Sequence, residues 1–169
     1  IGGVGTPGST TVSPSGTTIY TLTARCGSNT VTRQVQVTVQ AAPPPPPDKQ
    51  GPAISGVAYS DKTIYYNNSG CGATALTVSA NVTDPSGVKS VQLTYRYVPS
   101  KGSPSNPIGL QMNPTGGNNY SATINALKEA YAPLGGGAGQ IEFWIVAVDG
   151  VGNSAQTSPT YVSIQNCPG

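Results

Sequence analysis

The feature that most constrains this chain is a two-residue alternation of apolar and polar side chains, recurring at short spacing from residue 53 to residue 169. In LTVSANV, Leu76, Val78, Ala80 and Val82 alternate with Thr77, Ser79 and Asn81, and the run stops at DPSG, whose Asp, Pro and Gly suit a tight turn. Val91, Leu93, Tyr95 and Tyr97 alternate with Gln92, Thr94 and Arg96 in the next segment. Ile108, Leu110 and Met112 follow, then Tyr120, Ala122 and Ile124, then IEFWIVAVD, and last Tyr161 to Ile164, with AISGVAYS in front of them all. Only an extended strand repeats its facing every two residues, so about seven strands are expected, each turning one edge of the pattern to a core. Between them, ALKEAYAPLGGGAG predicts a single helical turn broken by Gly135 to Gly137.

Composition agrees with an all-β chain. Gly 22 and Pro 16 stand among many Thr, Ser, Val and Asn, a mixture poor in helix formers and rich in strand and turn formers. A length of 169 residues allows one or two domains. Net charge is only +2 and the apolar residues come in ordered runs, which argues against general disorder. Arg25, Arg33, Lys49, Lys62, Lys89, Arg96, Lys101 and Lys128 are scattered singly. Nucleic-acid binding needs clustered cations, so no nucleic-acid partner is expected. No stretch approaches the roughly 18 to 20 apolar residues of a membrane span, and no signal peptide is visible. The sequence starts at Ile1 without a methionine, which reads as a piece of something longer.

The clearest boundary is AAPPPPPDKQGP. Pro43 to Pro47 favour an extended polyproline II rod of about 3 Å per residue, a linker that spaces two modules. The expected organisation is residues 1–41, a linker at 42–52 and a complete module at 53–169.

Three stretches of the larger module, VSANVTDPSGVKSVQLTYRY, MNPTGGNNYSATI and IEFWIVAVDGVGNSA, resemble the immunoglobulin-like or fibronectin type III-like modules of bacterial secreted and surface proteins. Such modules read as a strand ending D-x-S-G-V, a Y-x-A-x-I strand, and a strand ending A-x-D-x-x-G-N. The resemblance implies a seven-stranded immunoglobulin-like β-sandwich. The opening pieces GVGTPGSTTVSP, TTIYTLTARC and NTVTRQVQVTV resemble the C-terminal half of a second such module. That half would supply strands near residues 9–13, 18–26 and 30–40. Tyr20, Leu22, Ala24, Val35, Val37 and Val39 would then show an uncovered apolar face, so the sequence reads either as a truncation product or as a half module that pairs with another copy in a homodimer.

Within the implied topology, the second strand starts at the end where the last strand finishes, which implies a disulfide between Cys71 and Cys167. The alternative is two unpaired small apolar residues. A disulfide places the chain in an oxidising, extracellular or cell-surface compartment. Cys26 shares strand parity with Leu22 and Ala24 and is expected to point into the half core, with a partner in the missing half as the rival reading. Three cysteines, no histidine and no C-x-x-C spacing argue against zinc.

Catalysis is not expected. GVGTPG matches G-x-G-x-x-G, but a dinucleotide site needs a strand before it and a helix after it, whereas Pro7 and STTVSP predict a turn and a strand. Serine triads need a histidine. The carboxylates Asp48, Asp61, Asp84, Glu129, Glu142 and Asp149 fall mostly in turns or linkers, where nothing would tune them.

Two candidate binding sites remain. Asp84 with Ser86, and Asp149 with Asn153, sit in loops at one end of such a sandwich, and two carboxylates with carbonyls and water would make a weak calcium site. Against this, DPSG and DGVGN are turn sequences in which Asp and Asn cap their own backbone. The second candidate is Trp144, placed on the face away from the core beside Gln92, Thr94 and Arg96. It would stack on a sugar or partner, lie half-buried under the Arg96 guanidinium, or fill a contact between modules. The sequence therefore predicts a non-catalytic spacer, adhesion or presentation module of a bacterial extracellular protein. The rivals are a carbohydrate-binding module attached to a secreted hydrolase and a calcium-rigidified adhesin repeat.

Overall fold

The computed structural model describes residues 2–5 and 7–169. Ile1, where the opening segment starts, and Thr6, inside the GVGTPG motif, lie outside the described residues. The chain divides into two units between Pro46 and Pro47, inside the expected proline linker.

The first unit is a hairpin of β1 (Thr18–Cys26) and β2 (Asn29–Val37), paired antiparallel from Thr18↔Val37 to Cys26↔Asn29. Residues 9–13, expected as a strand, have no strand structure, so two strands stand where three were expected. The pairing puts Tyr20, Leu22 and Ala24 on the same face as Val35, Arg33 and Val31. Among the described residues, Gly2 to Val4 and Thr10 of the opening segment line a hollow with Tyr20, Leu22 and Val35 but leave the face largely open: Leu22 is 65% exposed and Val35 61%. Cys26 is exposed and free, which corrects the expectation that it points into a half core. Two strands have no second layer to bury anything against, so no core forms there.

The second unit is a two-layer, all-β sandwich. Its elements are β3 (Ala53–Tyr59), β4 (Thr63–Tyr66), β5 (Ala75–Thr83), β6 (Val88–Pro99), β7 (Ile108–Gln111), β8 (Asn113–Gly116), β9 (Asn119–Asn125), the helical turn α1 (Tyr131–Leu134), β10 (Gly139–Asp149), β11 (Ser154–Gln156) and β12 (Thr160–Asn166). One sheet has the order β3-β5-β9-β8, the other β4-β12-β10-β6-β7, with β11 pairing β10. Every pairing is antiparallel except β4 with β12, which run parallel. Ten strand segments thus stand where about seven were expected. The three surplus ones, β4, β8 and β11, are short pieces of three or four residues at sheet edges.

The two-residue alternation is the core. Leu76, Val78, Ala80 and Val82 of β5 face Val91, Leu93, Tyr95 and Tyr97 of β6 and Ile141, Phe143, Ile145 and Ala147 of β10, all buried in one apolar cluster with Ile124, Val162 and Ile164. Met112 is buried where the chain crosses from the sheet of β7 to that of β8, its N–H bonded to the Val91 carbonyl at 2.9 Å. The segment after β9 holds its one helical turn, and Gly135 ends it at φ 57°, a left-handed conformation that glycine adopts without a Cβ clash.

Two further facts position everything that follows. The Cys71–Cys167 disulfide is formed, with Cα atoms 5.8 Å apart across 96 residues of sequence. Cys71 lies in the turn before β5 rather than on the strand itself. The chain enters and leaves the sandwich at opposite ends. Ala53 pairs with Thr83 beside the β5–β6 turn, whereas Ile164 pairs with Gly139, the first residue of β10, and Cys167 follows it.

Candidate functional site

At the entry end, three carboxylates converge. Asp84 opens the DPSG turn between β5 and β6, and its Oδ1 accepts from the Ser86 N–H at 2.8 Å and the Ser86 hydroxyl at 2.6 Å. Asp149 closes β10 and turns the chain toward β11. Its Oδ1 accepts the backbone N–H groups of Val151, Gly152 and Asn153, and its Oδ2 accepts the Asn153 side-chain amide at 2.7 Å. These turns are the self-capping structures that Asp and Asn favour. They are tied together by the Gly150 N–H, which donates to the Gly87 carbonyl at 2.8 Å. Gly150 is required there, since a Cβ would sit 2.4 Å from the Ser86 carbonyl oxygen.

Asp48 is the third, and the sequence reading left it among the untuned carboxylates of the linker. The stretch Asp48–Gly51 lies against β11: the Asn153 side-chain amide donates to the carbonyls of Asp48 and Gln50, each at 3.3 Å, and Gly51 packs on the Ser154 carbonyl. One carboxylate oxygen from each of Asp48, Asp84 and Asp149 falls within 4.8 Å of the others. Asn153, proposed from sequence as a ligand, instead turns its amide N–H groups toward Asp149, Asp48 and Gln50 and serves as a clamp. Asp149 is fully buried. Burial alone would push its carboxyl up, but the Asn153 amide and the N–H groups of Asn153, Gly152 and Val151 outweigh this and hold it below the usual range.

The outward face of β10 is the second candidate. Register pairs Glu142 with Arg96 and Trp144 with Thr94, so Trp144 does lie beside the polar side chains of β6 and is half-buried. The guanidinium, however, is taken by Glu142, whose Oε2 accepts from Arg96 Nε while its Oε1 accepts from the Tyr161 hydroxyl at 3.0 Å. The Arg96 hydrogen bond lowers the Glu142 carboxyl, burial opposes this, and Tyr161 assists. The aromatic pairs found among the described residues are Tyr59–Phe143, Tyr66–Tyr131 and Tyr95–Tyr97, none of which includes Trp144. A buried carboxylate on a sheet's outer face was missed from sequence because E-F-W reads as strand and gives no partner.

Comparison with protein-family models and with the curated proteins finds no match to this chain.

Proposed function

We propose that the chain is a non-catalytic spacer and presentation segment of an extracellular or cell-surface multidomain protein, its larger unit an immunoglobulin-like sandwich. The observation that carries this reading is the path of the chain, which enters the sandwich at the Asp84–Asp149 end and leaves at the disulfide end. A module threaded end to end extends a string of modules, as a spacer must. The parallel pairing of β4 with β12 and the order of the two sheets support the immunoglobulin-like assignment. The disulfide supports an oxidising compartment.

The carbohydrate-binding alternative rests on Trp144, and the two readings separate in one experiment. The protein is screened for binding to immobilised glycans beside Trp144→Ala. The spacer reading expects no binding by either protein and a stability loss of about 1 kcal/mol in the variant, as for a half-buried aromatic. Glycan binding that disappears in Trp144→Ala overturns it.

A further inference from the structure

We propose that Asp48, Asp84 and Asp149 together bind one calcium ion, which fastens the segment preceding β3 to the two turns at the entry end of the sandwich. The inference is independent of whether the module is a spacer. Three like charges within 4.8 Å of one another are an unfavourable arrangement without a counter-charge, and among the described residues no basic side chain forms an ion pair with them. The ion pair found among the described residues, Arg96 with Glu142, lies elsewhere, on the outward face of β10.

A second observation concerns Asp48 itself. Asp48 Oδ2 exposes less than 1 Å² of surface and has no hydrogen-bond partner among the described residues. Its neighbour Oδ1 is occupied, accepting the Gln50 N–H at 3.0 Å, so the orphaned oxygen is held in place rather than free to turn to water. An ionised oxygen removed from solvent without a donor is costly, and a cation is the partner that satisfies it. The other two carboxylates are fixed in the same manner. Asp84 is held through its Oδ1 and Asp149 by four hydrogen bonds, all of them from side chains or backbone of their own turns.

The donor set selects the ion. It is entirely oxygen, with no nitrogen or sulfur ligand, which disfavours zinc and copper. Oxygens at 2.3 to 2.6 Å from a shared calcium stand up to about 5 Å apart, so the observed spacing fits one ion. Ligands drawn from three separate loops suit the flexible coordination of calcium better than the near-ideal octahedron that magnesium demands.

The test is calorimetric titration and thermal melting of the full chain with calcium chloride, magnesium chloride and a chelator. One calcium per chain is expected, with a dissociation constant in the range of about 0.1 to 1 mM typical of extracellular modules, and a melting temperature that rises with calcium and falls back with chelator. Asp48→Asn weakens binding on the order of tenfold or more. In chelator it melts no lower than the parent, because one of three repelling charges is gone. Asp84→Asn, which keeps the Oδ1 acceptor of its turn, provides the same reading should Asp48→Asn fold poorly. No calcium response at about 10 mM, an equal response to magnesium, or unchanged affinity in both variants overturns the proposal.

Discussion

Glu142 is a carboxylate on the outward face of β10, between Gln140 and Trp144 on that face, and it is only 5% exposed. It stays charged because Arg96 and Tyr161, from the strands on either side, both donate to it. Its carboxyl is lowered in the folded chain, so the stability it contributes is complete above the unfolded-state carboxyl range and is lost as pH falls through the lower folded value. Melting temperature measured from pH 7 downward is expected to decline through the acidic range, and Glu142→Gln to flatten that decline while lowering the plateau at neutral pH. An identical slope in the variant would assign the acid sensitivity to other groups. This residue also shows where sequence reading stops. Alternation along β6 and β10 correctly separated inward Tyr95, Tyr97, Phe143 and Ile145 from outward Arg96 and Trp144. It could not give the register between the strands, and a shift of two positions decides whether the guanidinium meets an indole or a carboxylate.

The strands divide into those that pair on both sides within a packed layer and those that do not. β6 and β10 lie in the middle of their sheet, flanked on both sides and buried against β5 and β9. β1 and β2 have only each other. Amide exchange is expected to be slow in the core of β6 and β10, requiring global unfolding, and fast throughout β1 and β2, where local opening suffices. Protection of β1 comparable to that of β10 would mean that the hairpin is covered in solution. Solution molar mass by light scattering then decides whether the covering is a second copy, as expected from the opening segment. At this scale the sequence was legible wherever a strand was long and half-buried, as with β5, β6, β9 and β10. It was not legible for β4, β8 and β11, whose three or four residues carry too few alternations to stand out from turns, whereas the equally short β7 was read from Ile108, Leu110 and Met112. Residues 9–13 failed for the opposite reason: a pattern that suits a strand does not become one without a neighbour to bond.

For the larger unit as a whole, the sandwich is closed by packing and by one covalent tie. Closing a loop of 96 residues removes chain entropy from the unfolded state, worth roughly 4 kcal/mol. The double variant Cys71→Ser, Cys167→Ser is expected to unfold at lower denaturant by about that free energy, with Cys26→Ser unchanged because its thiol is exposed and touches no core. Intact mass after denaturing alkylation should show one modified thiol per chain, and three would mean that the tie is absent. Asp48 belongs to this scale as well. It stands about a hundred residues from Asp149 and inside a stretch whose composition reads as linker, so only the assembled fold brings the two together. The placement of the disulfide has a mechanical consequence. A pull applied between Pro47 and Pro168 passes from Cys167 directly to Cys71 through the sulfur bridge, and the sheets between those two residues bear none of the tension once the bridge is taut. Only the roughly two dozen residues before Cys71 can then be drawn out, a reach of roughly 80 Å at the extended length of a chain. Under load the module would yield a short, fixed length of slack and then hold.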